Sequence, residues 1–278
     1  MGNRHVIFIH GIGEQTPGYS TALWKLLQDG RIPGDVEHHE MFYYDIFQTA
    51  NAKTELAKLP SQYGLNSLIE KLIADSALAG KVESELQDVL VNTVAHVLHF
   101  CLNQDVRNAI IQRFRECLLS VVMEATKQGV SPFDLNITIL SHSLGTVIGY
   151  LGCHEVLLDP ALGLDNGISI KNLYSLASPL EMIGWVAGKV NLTVEYVTDG
   201  IKRPIRHNAA IGTDESNVRD WWSYRHQSDP VASLIPLLGD FITNSDVDPF
   251  LFNVIHCGGV HSFSNYIEQS KNGIIANL

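Results

Sequence analysis

The run Leu135-Asn136-Ile137-Thr138-Ile139-Leu140 is apolar and β-branched, and it passes without a linker through Ser141-His142-Ser143-Leu144-Gly145 into a helical stretch that reaches Leu157. A strand that turns straight into a helix returns to its sheet by a crossover, and strands joined in that way lie parallel. The turn also dictates residue size. Strand and helix pack closely around the central Ser143, so the positions two before and two after it must be small. Gly145 meets this requirement fully, and Ser141 meets it with less room than a glycine would leave.

Other segments repeat the pattern. His5-Val6-Ile7-Phe8-Ile9 reads as a fully buried strand that opens into the tight loop His10-Gly11-Ile12-Gly13. A second strand is expected from Val36 to Tyr44, and further strands at Ile170 to Leu176, Trp221 to Tyr224 and Leu251 to His256. Between the first two of these three, Val194 to Thr198 and Ile201 to Ile205 flank Asp199-Gly200, a hairpin-turn dipeptide. About eighty residues before the Ser143 strand are helical by spacing. Their apolar positions are Leu65 to Ile73, Leu86 to Cys101 and Ala109 to Val122, with a turn at Asn103-Gln104-Asp105 and a break at Gly129 to Pro132. The expected class is α/β, with a mainly parallel sheet and helices on both faces.

Composition limits the function. With 45% hydrophobic and 18% charged residues the chain can bury a large core, and residues 1–278 read as a single domain. Nineteen basic against thirty acidic residues give a net charge of −11, which repels nucleic acid and anionic membrane surfaces. No apolar run reaches the roughly 18 residues of a membrane span, and Met1-Gly2-Asn3-Arg4 carries no signal-peptide pattern. A soluble, cytoplasmic protein is expected. Cys101, Cys117, Cys153 and Cys257 are too widely spaced for a zinc knuckle or a short disulfide framework and read as reduced, mostly buried thiols.

Ser143 is the candidate nucleophile: the turn lifts its hydroxyl above the strand and aims the first helical amides at an oxyanion. The Leu144 amide is one candidate oxyanion donor and the Ile12 amide the other. A dinucleotide loop is excluded, because G-x-G-x-x-G would need glycine where Thr16 stands. Serine requires a histidine base oriented by a carboxylate, and reactive groups in an open parallel sheet gather beyond the carboxyl ends of the strands. Asp229, five residues after Tyr224, and His261, five after His256, satisfy that rule. Asp246 and Asp248 precede the last strand and do not. His10, Gly11 and His142 are candidates for the substrate pocket, with His10 also a support of its loop. His96 and His99 lack a third ligand at useful spacing, and His38, His39 and His226 read as ordinary polar positions. No metal and no cofactor is expected.

These blocks, together with Ser175 to Leu180, Ser228 to Val231 and His261 to Tyr266, resemble the α/β-hydrolase superfamily, and within it lipase-like serine esterases related to GPI inositol-deacylases. The resemblance spans nearly the whole chain in the order Ser, acid, His. It implies Ser143 as nucleophile, Asp229 as orienting acid, His261 as general base, and Ile12 and Leu144 as oxyanion donors. It also implies a smaller sheet, of about six strands, since the first strand already leads into the oxyanion loop. A helical insertion at about 51–130 precedes the nucleophile strand, and either it or a segment at about 181–213 would cover the site. The expected reaction is hydrolysis of a small-molecule or lipid-like carboxylic ester. The same triad would serve a thioesterase or acyltransferase, and a silent ligand-binding relative would keep the pocket without the chemistry.

Overall fold

The structure is a computed structural model that describes residues 3–13, 15–32, 34–67, 70, 84–157, 168–179, 218–224, 229, 231 and 261–278. Five strands form one sheet: β1 (Arg4–Ile9), β2 (Val36–Met41), β3 (Asn136–His142), β4 (Ile170–Leu176) and β5 (Val218–Tyr224). Their spatial order is β2-β1-β3-β4-β5, and every neighbouring pair is parallel. β1, β3 and β4 are buried almost end to end, as strands covered on both faces must be. β2 is the polar edge, Val-Glu-His-His-Glu-Met, and most of it is only partly buried.

Alternate side chains of these strands feed two cores. On one face Ile7, Ile9, Ile137, Ile139 and Leu173 pack against the helical insertion and the helix that follows Ser143. The helices concerned are α5 (Ser84–Leu102), α6 (Gln104–Lys127) and α7 (Leu144–Leu157). On the other face Val6, Phe8, Leu140, Tyr174 and Leu176 pack against α1 (Ser20–Gln28) and α8 (Phe263–Asn277). The remaining helices, α2 (Tyr44–Phe47), α3 (Ala50–Leu56) and α4 (Leu59–Gln62), are short and open the insertion. The mainly parallel α/β sheet covered on both faces is thus observed. The sixth strand at 251–256, the 194–205 hairpin, the 181–213 segment and Cys257 lie outside the described residues.

The structure redraws two boundaries. β2 stops at Met41, where β1 ends opposite it at Ile9; with no partner left, the aromatic residues after it turn into α2, and Tyr43 is buried against the His10 loop. The turn expected over Asn103-Gln104-Asp105 shrinks to Asn103 alone, whose side chain caps α6 by accepting from the Val106 amide at 3.0 Å. Leu90, Val97 and Phe100 of α5 are buried in the protein core, so packing accounts for them. Cys101, Cys117 and Cys153 are free thiols; burial pushes Cys101 and Cys117 up to about 12 and Cys153 higher still. Among the described residues no helix is long and apolar enough to cross a membrane.

Candidate active site

Ser143 sits between the last residue of β3 and the first of α7 with φ +52°, a left-handed conformation that a non-glycine residue adopts at a cost of about 1–3 kcal/mol. Its surroundings hold it there. The Ser143 amide donates to the Leu176 carbonyl at 3.0 Å, while its own carbonyl accepts from the Thr146 amide and hydroxyl at 2.9 and 2.7 Å. Ser141, at a position where the turn favours a glycine, spends its hydroxyl on the Tyr174 carbonyl at 2.6 Å and so leaves no unpaired donor in the core. Gly145 has no such latitude, because a β-carbon there would land on the carbonyl oxygens of Ile9 and His10.

The structure brings the three sequence-selected side chains into one line. Ser143 Oγ lies 2.9 Å from His261 Nε2, and His261 Nδ1 lies 3.0 and 2.9 Å from the two carboxylate oxygens of Asp229. An ionised carboxylate only accepts, so Nδ1 carries the proton and Nε2 is left to accept from the serine hydroxyl. Asp229 is fully buried, an expensive place for a charge unless its oxygens are satisfied. Two further donors meet it: the Val231 amide at 2.9 Å on Oδ1 and the Tyr266 hydroxyl at 2.7 Å on Oδ2. The His261 side chain, in the middle of the line, is 9% exposed, while Ser143 and Asp229 at its ends are buried.

The oxyanion candidates sit beside Ser143. Leu144 is the first residue of α7, and an amide there has no partner within its helix. Ile12 lies on the loop that crosses Ser143 so closely that a β-carbon on Gly11 would come 2.7 Å from the Ser143 β-carbon. That loop is pinned from below. His10 Nδ1 donates to the Gly11 carbonyl at 2.6 Å, which leaves Nε2 to accept from the Tyr43 amide at 3.4 Å. The two rings stack with centroids 4.1 Å apart, and the Tyr43 hydroxyl donates between the carbonyls of His10 and Gly11. Burial holds His10 down to about 4, so the ring is neutral near pH 7. His10 therefore supports the loop, enclosed at 1% exposure by Tyr19, Phe42 and Tyr43.

His142 is buried against Phe263 and beside His261. Burial first, then the rings of His261 and His10, keep it well below the ordinary histidine range. Its Nε2 finds no hydrogen-bond partner among the described residues. Tyr266 and Tyr43 are functional contacts that sequence reasoning missed. Tyr266 carried a weak signal, standing five residues after His261, whereas Tyr43 read as part of a strand.

The arrangement can polarise a serine hydroxyl, take its proton and hold the resulting imidazolium against a buried carboxylate. Comparison of the chain with protein-family models, with curated proteins and with solved structures gives no match in any of the three.

Proposed function

We propose that this chain is a metal-independent serine hydrolase of the α/β-hydrolase kind that cleaves carboxylic esters. What supports this reading above all is the hydrogen-bonded line from Ser143 through His261 to Asp229, mounted on a strained strand-to-helix turn. In the first step Ser143 Oγ attacks the ester carbonyl while His261 Nε2 takes its proton. The amides of Leu144 and Ile12 receive the negative charge that develops on the carbonyl oxygen. His261 then hands the proton to the departing alcohol, leaving an acyl group on Ser143. Water then attacks the acyl carbon while giving a proton to His261, and the bond to Oγ breaks as His261 returns that proton to Ser143 and the carboxylic acid leaves. Asp229 keeps Nδ1 protonated throughout, so Nε2 always faces the chemistry.

Ser143→Ala is expected to cut turnover of a short p-nitrophenyl ester by at least about 10⁴-fold. The thermal midpoint should stay within a degree or two, since one buried hydroxyl is removed from a strained position. Turnover equal to that of the parent chain, or a fluorophosphonate probe that adds no mass at Ser143, would overturn the proposal.

A further inference from the structure

At the amino-terminal end of β1, remote from Ser143, a second group of chemically capable side chains meets. In the parallel register His5 stands opposite Glu37, and His39 stands opposite Ile7. Strand alternation therefore puts His5, Glu37 and His39 on one face, the one that Ile7 shares with α6. His5 Nδ1 is 3.0 Å from His39 Nε2 and 4.0 Å from Glu37 Oε2, and one ligand atom from each of the three lies within 4.8 Å of the other two. His5 is buried and the other two are partly buried, so the cluster is open to solvent on the Glu37 side.

We infer that His5, Glu37 and His39 bind a single divalent transition-metal ion, with Zn²⁺ the best fit. Two imidazole nitrogens and one carboxylate oxygen are the donors that borderline first-row ions accept, whereas Mg²⁺ and Ca²⁺ prefer all-oxygen sets. Donors around a tetrahedral zinc stand roughly 3.4 Å apart, given bonds of about 2.0–2.1 Å. The observed 3.0 and 4.0 Å bracket that value, so rotation about side-chain bonds closes the site without moving the strands. A hydrogen-bonded pair of imidazoles would explain the shorter distance alone. It would not explain the carboxylate beside the pair, or the pull of Glu124 of α6 toward positive charge at both rings.

The site is structural in character. It lies roughly 17 Å along β1 from His10, at about 3.3 Å per residue, and it joins β2 to β1, its one strand neighbour among the described residues. The adjacent His38 supplies an internal control, because it points to the opposite face and stacks on Trp24 with ring centroids 5.0 Å apart.

The test uses the full chain stripped with a chelator and dialysed against Zn²⁺ alone. Expected are one zinc per chain, a thermal midpoint raised by about 5 °C at a hundredfold excess over Kd, and visible d–d absorption when Co²⁺ replaces zinc. His39→Gln and Glu37→Gln should each weaken binding about tenfold or more, His38→Gln should leave it unchanged, and labelling of Ser143 by fluorophosphonate should be the same with and without metal. Should His39→Gln fail to fold, Glu37→Gln and the Co²⁺ spectrum of the parent chain carry the decision. Absence of stoichiometric zinc in the parent chain, or binding that survives both substitutions, would overturn the inference.

Discussion

The two ends of the sheet are built on opposite plans. At the carboxyl end, Ser143 follows β3, Asp229 stands five residues after β5 and His261 two residues before α8, and the strand-to-helix turn and the helix start bring their side chains together. At the amino end, His5, Glu37 and His39 lie within strands, and the register of β1 with β2 alone brings them together. The first plan depends on close backbone approach and left-handed φ values, at Ser143 and again at Ala177. The second depends on ladder hydrogen bonds and needs no strain. Precision for bond-making is obtained from tight turns, and mere proximity from pleated backbone.

Substitutions can break that contrast. Outside the triad itself the largest effect is expected from Gly145→Ala, which pushes a methyl group onto the Ile9 and His10 carbonyls: about 3 kcal/mol of stability lost and turnover down about 10²-fold, read by chemical denaturation and ester hydrolysis. A parent-like variant would show that the turn tolerates slack. Tyr266→Phe removes one donor from buried Asp229. It should lower stability by about 2 kcal/mol and turnover about tenfold with KM little changed, because positioning is lost and substrate contact is not.

At pH 7 the smallest effect is that of His10, which shows only as an acid response. Its pKa is depressed to about 4 in the folded state, so the unfolded chain binds more protons below about pH 6.5. Stability from this residue is complete above that pH and falls as pH drops toward 4, by about 2 kcal/mol at pH 5. Denaturation midpoints of the parent chain and of His10→Gln, measured between pH 7 and 5, should show a flatter slope in the variant. Equal slopes would assign the acid sensitivity to other buried histidines such as His142.

Legibility from the sequence follows the same division. β3, its turn and α7 were readable because a strand buried on both faces is nearly all apolar and because small residues at 141 and 145 answer a local steric demand. The rule that reactive groups follow strands selected Asp229 over Asp246 and Asp248 without knowledge of any contact. Helices α1 and α8 escaped notice: their core-facing residues, Leu23, Trp24 and Leu27 in one and Tyr266, Ile267 and Ile274 in the other, are few and set among polar ones. The His5, Glu37 and His39 group was invisible for a different reason. Thirty-odd residues separate its halves, and nothing local to either strand records which residues the register sets side by side.

Helix α8 begins two residues after His261 and bears Tyr266 on its first turn, so the imidazole and the phenol that grip Asp229 stand at one helix start. The rod's far end is moored as well, since the Asn277 carbonyl accepts from Lys171 Nζ and Asn172 Nδ2 of β4. The imidazole and the phenol are thus tied to one end of the same moored helix, so a tilt of that rod disturbs both grips on Asp229 together.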